Sequence, residues 1–400
     1  MENRDNVCTY IRFKGDCSFK KMSFNEVDAM IFALLSYVDF RQILTSPQTL
    51  EDAYKKLLIV EEKGIDDSRP HTPTSLDVLE MVKLMAHSTR FHNIILDYYV
   101  DEYSLSQSEQ FAALTITFMP HFHVFSFRGT DDSLAGWKEN WEMIYKMPVT
   151  GQTKALAYIQ DHISSKWYHA FDRYWLVGHS KGGNLAVYGA CCLEEKQAKK
   201  IDGIYSFDGP GFRFPLTEFP HYTALKSRIH SYTPSFSVIG MTFEYYHKDY
   251  TIQSFEEGLA QHLGFSWVVC NDHFVRSMRD EESIQVEELF HSWLSEIPLD
   301  EREQFVQSLF QVLEQANITN LQEFLHMDIK AMIEVVKAMG GIDGERRNLI
   351  IRILTLLAAK SAKPRFDWFN ESVEKIGNAL SLNTQKIIDK FSKRGNNNNE

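Results

Sequence analysis

The pattern of apolar and polar positions divides the chain into a part with alternating strand and helix patterns and a later part with helix patterns only. Between about residue 110 and residue 210, short apolar runs typical of strands alternate with longer amphipathic runs typical of helices. The strand-like runs are FAALTITF from Phe111, HFHVFSF from His121, RYWLVGH from Arg173 and DGIYSFDG from Asp202. The helix-like runs are ALAYIQDHISSKW from Ala155 and KGGNLAVYGACCLEEKQAKK from Lys181. This alternation predicts an α/β fold, in which helices cover both faces of a mostly parallel central sheet.

Two helices are predicted before the alternating part. SFNEVDAMIFALLSYVDF begins at Ser23, with Glu26 three residues later in the spacing of a capping box, and its apolar residues recur at helical intervals. A second helix is predicted from about Ser75 to Ala86, after a polar loop with two prolines. The first helix is apolar enough either to cover a core or to act as a lid over a site, and sequence alone does not distinguish these roles.

The texture changes after about residue 280. Four segments there have helical periodicity and few clusters of β-branched residues, which predicts an all-helical C-terminal region. They are ESIQVEELFHSWLSEI, LDEREQFVQSLFQVLEQA, NLQEFLHMDIKAMIEVVKAM and NLIIRILTLLAAKSAK. The chain end is polar and of low complexity, which predicts disorder. We therefore expect an α/β domain over residues 1–279, a helical region over 280–392 and a disordered tail over 393–400.

Composition narrows the classes of function. The net charge of -12 argues against a nucleic-acid partner, because phosphate binding depends on clustered Lys and Arg. The five cysteines include no CxxC spacing, so neither a disulfide framework nor a zinc site is indicated. No apolar run has the length of a membrane span or the character of a signal peptide. A cytoplasmic protein is the simplest expectation.

The stretch YWLVGHSKGGNLAVYGACC carries Gly178, Ser180 and Gly182 in the spacing G-x-S-x-G. In a nucleophile elbow the serine sits on a strained turn between strand and helix, and the glycines let the helix approach the strand. The flanking segments have the strand and helix patterns that this motif requires. The turn would direct the Ser180 hydroxyl outward and place the N–H of Lys181 at a helix N-terminus, where developing negative charge is stabilised. A structural Gly-Ser turn is the alternative.

A second oxyanion donor is predicted in the stretch FSFRGTDDSLAGWKENW. A strand that ends in Arg-Gly-Thr beside the elbow can supply the backbone N–H of Thr130. The same stretch also has the pattern of a helix N-terminus, with Asp131 or Asp132 capping a helix that begins near Leu134. The two interpretations are compatible, because a capped loop holds a donor in place.

The candidate acid and base follow the elbow in the chain. Asp208 comes at the end of the strand-like GIYSF, which places its carboxylate at the C-terminal edge of the sheet, where α/β active sites lie. An Asx turn before Gly-Pro is the alternative for this residue. The base should come last in chain order. His262, in a turn-rich loop, is the first candidate and His273 the second, whereas His230 fits a strand.

Together these motifs resemble the class three lipases, which join a strand-terminal Arg-Gly-Ser/Thr element to a Gly-His-Ser-Leu-Gly-Gly elbow. The chain more closely resembles a bacterial family of lipase-like α/β hydrolases known as a domain of unknown function. Its motifs, in this order, are FNEVD, LSY, FRGTDD, GWKE, GHSKGGNLA, FDGPGF and QH…SW. The likeness covers about Cys8 to Ser277. It implies an α/β-hydrolase fold, Ser180 as nucleophile, and Thr130 and Lys181 as oxyanion positions, but no particular substrate.

The sequence departs from the class three lipases at two places. Lys181 replaces the leucine that follows their serine, which would place a cation beside the reaction centre and disfavour a purely apolar substrate. The stretch SYTPSFSVIG, where those lipases carry the acid, has Ser235 and Ser237 instead. Either the acid has moved to Asp208 or the triad is incomplete. We favour the move, because a carboxylate at either strand end can reach the same histidine.

These features favour a cytoplasmic serine hydrolase. The resemblance implies that it cleaves a carboxylic ester, such as a lipid or acyl ester, because triad residues alone do not select the leaving group. Ser180 would attack the carbonyl, His262 would transfer the proton and Asp208 would orient the imidazole, without a metal or an organic cofactor. Neither nucleic acid nor a membrane surface is an expected partner, although the basic residues near Leu349 could face a membrane, and no protein partner is indicated. The alternative is a non-catalytic α/β-hydrolase-like protein that binds or regulates through its helical region.

Overall fold

The computed structural model describes residues 5–63, 74–131, 133–164, 166–243, 247, 249–319 and 329–361. The chain divides into two compact units. The first is drawn from residues 1–131 and 146–287, and the second from residues 132–145 and 288–400.

An eight-stranded sheet forms the centre of the first unit, and the order of its strands follows the order of the chain. They are β1 Gln48–Thr49, β2 Ile95–Ser104, β3 Glu109–Met119, β4 Phe122–Phe127, β5 Arg173–His179, β6 Ile201–Phe207, β7 Ile229–Pro234 and β8 Tyr250–Ile252. Strands β1 to β4 pair antiparallel, and β4 to β8 pair parallel. Strands β9 Val269–Cys270 and β10 His273–Phe274 form a separate antiparallel pair. The predicted α/β class with a mostly parallel sheet is confirmed.

Helices cover both faces of this sheet. They are α1 Val7–Lys14, α2 Glu26–Leu35, α3 Leu50–Lys63, α4 Leu76–Ala86, α6 Thr150–His162, α7 Lys181–Cys191, α8 Glu195–Ala198 and α9 Tyr222–Leu225. Alternate strand residues face opposite sides, so Val177 joins the core beneath α1 to α4 and Leu176 joins the core beneath α6 and α7. Every residue of α2 from Val27 to Leu35 is at most 4% exposed. This helix is therefore a layer of the core and not a lid.

The capping box of α2 differs from the predicted one. Asn25 is the N-cap: its side chain accepts from the N–H of Asp28, and the Asp28 carboxylate accepts from the N–H of Asn25. The prediction that Ser23 and Glu26 form the box is wrong. The Glu26 carboxylate instead accepts the backbone N–H of Phe274, 2.7 Å away, a partner that lies 248 residues later in the chain.

Strand β2 has no counterpart in the sequence predictions. It carries three acidic residues, and most of its side chains are partly exposed. A bulge between Asp97 and Val100, where Tyr98 has a φ of 49°, breaks its alternation of apolar and polar positions. The strand nevertheless forms because it pairs with β3 along most of its length.

The second unit is helical. Its helices are α5 Leu134–Glu142, the greater part of α10 Glu281–Ser295, α11 Leu299–Gln315, α12 Ile329–Gly341 and α13 Gly344–Ser361. Trp293 is fully buried, and its ring lies 6.4 Å from that of Trp141 and 5.5 Å from that of Phe290. The predicted helical C-terminal region is confirmed where the structure describes it. Residues 320–328, in the third predicted segment, and the predicted tail lie outside the described residues.

The basic residues near Leu349, which could face a membrane, lie partly on α13. Arg346 pairs with Asp343 at 3.2 Å, and Arg352 pairs with Glu301, so acidic side chains offset part of its charge. Among the described residues, no helix combines the length and apolarity needed to cross a lipid bilayer.

A buried ion pair joins α2 to the segment before β2. Arg90 donates to Asp28 at 2.8 and 2.5 Å, and both side chains are fully buried. Replacing Arg90 by Met leaves the Asp28 carboxylate buried without its cation, and we expect a loss of about 3–5 kcal/mol in the free energy of unfolding. Urea titration followed by far-UV circular dichroism measures the loss.

Arg12→Met provides the matched control. Arg12 pairs with Glu80 at 3.0 Å, but these side chains are 51% and 40% exposed. Removing an exposed pair should cost less than about 1 kcal/mol. Equal losses for the two variants would contradict the importance of the buried pair.

Candidate active site

The turn between β5 and α7 holds Ser180 in a strained backbone conformation. Its φ of 56° and ψ of -134° lie in a region that non-glycine residues rarely adopt. The Ser180 N–H donates to the carbonyl of Phe207 at 2.8 Å, and the Ser180 carbonyl accepts from the N–H of Gly183 at 2.9 Å. These bonds, together with the strand and helix on either side, hold the turn in place.

The glycines of the motif are required by close backbone contacts. A Cβ atom on Gly182 would lie 2.1 Å from the carbonyl oxygen of Phe127 on β4. A Cβ atom on Gly178 would lie 2.1 Å from the carbonyl carbon of Gly182. The helix can therefore approach the strands only because neither position carries a side chain, which is the steric reason given for the G-x-S-x-G spacing.

Asp208 directly follows β6 and its side chain is fully buried. Its Oδ2 atom lies 2.6 Å from Nδ1 of His262. Its Oδ1 atom accepts from the hydroxyl of Ser237 at 2.5 Å and from the N–H of Gly240 at 3.2 Å. The carboxylate thus accepts three hydrogen bonds and is held in one orientation.

This arrangement fixes the proton on the imidazole of His262. A carboxylate oxygen accepts, so Nδ1 carries the hydrogen, and Nε2 of the neutral ring has a free lone pair. The side chain of His262 is 25% exposed. Within the described part of the chain, no hydrogen bond joins Ser180 to His262, although the His262 ring lies 4.6 Å, centroid to centroid, from that of His179, the neighbour of Ser180. The structure thus brings Asp208 and His262 into contact and places both beside the turn.

The other two candidate histidines lie elsewhere. His273 is in the β9–β10 pair, its side chain is 52% exposed, and it bonds to Asp272 at 3.2 Å. His230 is in β7, as its pattern predicts, and its ring lies 4.9 Å from that of Tyr205. Burial lowers the pKa of His230.

Ser237 occupies the stretch where class three lipases carry their acid, and sequence reasoning missed its contact with Asp208. Its backbone N–H donates to the hydroxyl of Ser283 at 3.1 Å, and that hydroxyl donates to the Ser237 carbonyl at 2.8 Å. Ser235 instead bonds to Ser277 at 2.9 Å. The absence of an acid from SYTPSFSVIG was the available signal, because a carboxylate on the neighbouring strand leaves room for a small donor there.

The FRGT segment lies beside the turn. A Cβ atom on Gly129 would lie 3.0 Å from Cβ of Ser180 and 2.7 Å from the carbonyl oxygen of His179. Thr130, the predicted second oxyanion donor, is the next residue and is partly buried. The preceding Arg128 forms a two-pronged contact with Asp101 at 3.1 and 3.2 Å, which anchors the segment to β2.

The cap of the following helix is not the predicted one. Ser133 caps α5, and its hydroxyl accepts the N–H of Gly136 at 3.2 Å. The prediction that Asp131 caps this helix is wrong, because Ser133 occupies the N-cap position and the Asp131 carboxylate lies 3.8 Å from the guanidinium of Arg128. The backbone N–H of Asp131 donates to the side-chain oxygen of Gln110 at 3.4 Å. The alternative cap, Asp132, lies outside the described residues.

The side chain of Lys181 does not face the candidate site. It is 1% exposed, and Nζ donates to the backbone carbonyl of Gln110 at 2.7 Å and to its side-chain oxygen at 2.9 Å. The expectation of a cation beside the reaction centre is therefore wrong. The Gln110 side-chain oxygen also accepts the backbone N–H of Asp131. Gln110 thus links the side chain of Lys181 to the residue that follows the FRGT segment. A partner 71 residues away in the chain gives no local sequence signal.

His179 is a second residue that the sequence analysis did not single out. It is 6% exposed, and both ring nitrogens have partners: Nδ1 lies 3.0 Å from the hydroxyl of Tyr37, and Nε2 lies 2.7 Å from the carbonyl oxygen of His262. Burial, together with the nearby imidazole of His262, lowers the pKa of His179 to about 3. The ring is therefore neutral at physiological pH.

Alanine at position 182 should destabilise the first unit. The added Cβ would meet the Phe127 carbonyl oxygen, so helix or strand must shift, and we expect a loss of about 1–3 kcal/mol in the free energy of unfolding. Urea denaturation measures it. The control is Gly340→Ala in α12, where, among the described residues, no atom beyond the adjoining residues and the helix's own backbone lies within 4 Å of the new Cβ. That change should be neutral or stabilise by up to about 1 kcal/mol. A neutral Gly182→Ala would argue against the close contact.

The neutral state of His179 predicts a pH dependence of stability. Below about pH 6.5 the unfolded chain takes up a proton at this residue, and the folded chain does so only near pH 3, so stability falls as the pH falls through this window. His179→Gln removes this proton uptake. Between about pH 6 and pH 4, its free energy of unfolding should fall less steeply than that of the wild type, by about 1.4 kcal/mol per pH unit. Parallel curves from urea titrations would contradict the buried neutral imidazole.

Comparison with known proteins places the chain in a family. A solved structure described as the crystal structure of M37 lipase is similar over 55% of this chain and 71% of that chain, at 16% identity and a TM-score of 0.33. No curated protein matches the chain significantly. The sequence model of the Mbeg1-like family matches residues 85–311, a range that includes Ser180, Asp208 and His262. Since this match covers more than half of the chain, the protein belongs to the Mbeg1-like family, a family of lipase-like domains.

Proposed function

We propose that the protein is a serine hydrolase that cleaves a carboxylic ester, with a lipid or other acyl ester as its substrate. One observation carries the proposal. The imidazole of His262 bonds at 2.6 Å to the fully buried carboxylate of Asp208, beside the strained turn that presents Ser180. Membership of a lipase-like family supports the same reaction class. We expect the hydrogen bond from Ser180 to His262 to form when substrate binds, because such bonds are often long in the free enzyme.

The proposed reaction has two halves. The Ser180 oxygen attacks the ester carbonyl while Nε2 of His262 removes the hydroxyl proton, and Asp208 stabilises the imidazolium that forms. The tetrahedral intermediate then collapses, the C–O bond to the alcohol breaks, and the imidazolium returns its proton to the departing alcohol. In the second half, water attacks the acyl-enzyme with His262 again as base, and the carboxylic acid leaves with Ser180 restored.

The negative charge of the intermediate requires donors beside Ser180. Lys181 is the first residue of α7, so its backbone N–H lies at the positive end of the helix dipole. Thr130 follows Gly129, which is in close contact with the turn. We assign the backbone N–H groups of Thr130 and Lys181 to the oxyanion hole, and such donors are each worth about 10²–10³ in rate.

An acyl substrate fits the surroundings of His262. Leu259 and Leu263, which flank it on the same loop, are 45% and 58% exposed. The charge of Lys181 is buried against Gln110, which removes the objection to an apolar substrate.

All five cysteines are free thiols, which supports a cytoplasmic site of action.

Covalent labelling with a fluorophosphonate probe tests the proposal. We expect one adduct by intact mass, mapped to Ser180 and absent from Ser180→Ala. Labelling should slow by about 10²–10⁴-fold in His262→Ala, since the base is lost. His273→Ala is the matched control and should label at the wild-type rate, because His273 lies in the β9–β10 pair and bonds to Asp272.

Hydrolysis of p-nitrophenyl esters of increasing acyl length then tests the substrate class, with faster turnover of medium or long chains expected. Folded protein that forms no adduct would overturn the hydrolase proposal. That result would favour the alternative of a non-catalytic protein that binds through its helical region.

A further inference from the structure

Four segments of the first unit meet at the ring of His179. The ring belongs to the last residue of β5, Tyr37 follows α2, Gly129 follows β4, and His262 ends the short helical turn Gly258–His262. The pair of Tyr37 and His179 is separated by 142 residues in the chain, and that of His179 and His262 by 83. The ring is thus an internal junction between segments that come together only in the folded chain.

The hydrogen bonds at this junction have a definite direction. The carbonyl oxygen of His262 can only accept, so Nε2 of His179 must carry the hydrogen and Nδ1 must accept. The hydroxyl of Tyr37 therefore donates to Nδ1. The phenol oxygen is also in close contact with the backbone of Gly129, where an added Cβ atom would lie 2.2 Å from it. A continuous chain of contacts then runs from Gly129 through Tyr37 and His179 to the backbone of His262, and its last two links are hydrogen bonds.

The two ends of this chain are the segments that the proposed reaction must hold against Ser180. Gly129 immediately precedes Thr130, the assigned oxyanion donor, and His262 is the assigned base. His179 is the residue immediately before Ser180 in the chain. A shift of about 1 Å in such groups can cost about 10²-fold in rate. Buried, satisfied hydrogen bonds are well suited to prevent such shifts, because breaking one leaves a polar group unpaired.

We propose that His179 and Tyr37 are positioning residues, which hold the base segment and the oxyanion segment in register with the nucleophile. This inference rests on the proposed hydrolase function. Neither residue transfers a proton in the reaction. The nitrogens of His179 are occupied by Tyr37 and by the His262 carbonyl, so its ring acts as a neutral spacer with one donor and one acceptor on opposite sides.

The test compares three variants in fluorophosphonate labelling and in hydrolysis of p-nitrophenyl butyrate. Tyr37→Phe keeps the aromatic ring but breaks the link to Gly129, and it should lower kcat and the labelling rate about tenfold with KM nearly unchanged. His179→Phe removes both links and should lower them about 100-fold. His179→Gln retains an amide donor for the His262 carbonyl and should recover most of the loss.

Tyr158→Phe is the matched control. Tyr158 lies on α6 and is also buried, and its hydroxyl bonds to Thr115 at 2.7 Å and to the Tyr98 carbonyl at 2.9 Å. Its loss should lower stability to a similar degree and leave kcat and labelling unchanged. If His179→Phe does not fold, the comparison of Tyr37→Phe with Tyr158→Phe still decides the question.

The outcomes separate this inference from the function on which it rests. The positioning role alone is overturned if the wild type labels and the variants label equally fast. These variants are Tyr37→Phe together with His179→Gln or His179→Phe. Equal slowing of Tyr37→Phe and Tyr158→Phe also overturns it, because the effect is then general destabilisation. Wild-type protein that forms no adduct overturns the hydrolase function and this inference with it.

Discussion

The first turn of helix α7 lies so close to strands β4 and β5 that no side chain fits between them at Gly182 or Gly178, and the candidate site depends on this approach. At Gly182 the helix backbone meets the carbonyl of Phe127, and at Gly178 the strand backbone meets the helix. A chain that must pass from strand to helix over so short a distance forces Ser180 into its positive φ. The same closeness brings Gly129, two residues beyond Phe127, against the turn. The position of the serine and that of the FRGT segment are thus consequences of one packing constraint.

Around this turn, the buried polar side chains are tied to partners from distant segments. Asp208 accepts three hydrogen bonds, His179 uses both nitrogens, and Lys181 donates twice to Gln110. Burying such groups is costly unless they are paired, so each pairing selects one arrangement of the loops against alternatives. The site is therefore organised before any substrate arrives, which is the condition for electrostatic catalysis of the proposed kind.

The location of the proposed acid shows that different strands of a parallel sheet can supply a carboxylate to the same histidine. Neighbouring strands lie about 4.8 Å apart and end at the same edge, so a carboxylate after β6 or after β7 can meet one histidine. Here the proposed acid, Asp208, follows β6, and the stretch after β7 contributes Ser237, which donates to it. The difference from the class three lipases is thus a change in which strand supplies the acceptor and which supplies a donor.

The sequence by itself determined the features that depend on residues close together in the chain. Apolar periodicity predicted β5 and the region of α7, because the pattern of side-chain burial in a strand or helix repeats over a few residues. The spacing of Gly178, Ser180 and Gly182 predicted the turn, since its steric requirement is local. The irregular strand β2 escaped prediction because its bulge and acidic residues erase the alternation, and its pairing with β3 supplies the order that its own pattern lacks.

Only the tertiary structure decided which groups meet across the chain. The contact of Glu26 with Phe274, the buried direction of Lys181, the contact of Ser237 with Asp208 and the junction at His179 all depend on such partners. A hydrogen bond between residues 29, 71 or 142 positions apart leaves no trace in local composition. Local sequence sets the conformations that a segment can adopt, and packing then selects among them, because a buried polar group is stable only where the fold supplies its partner.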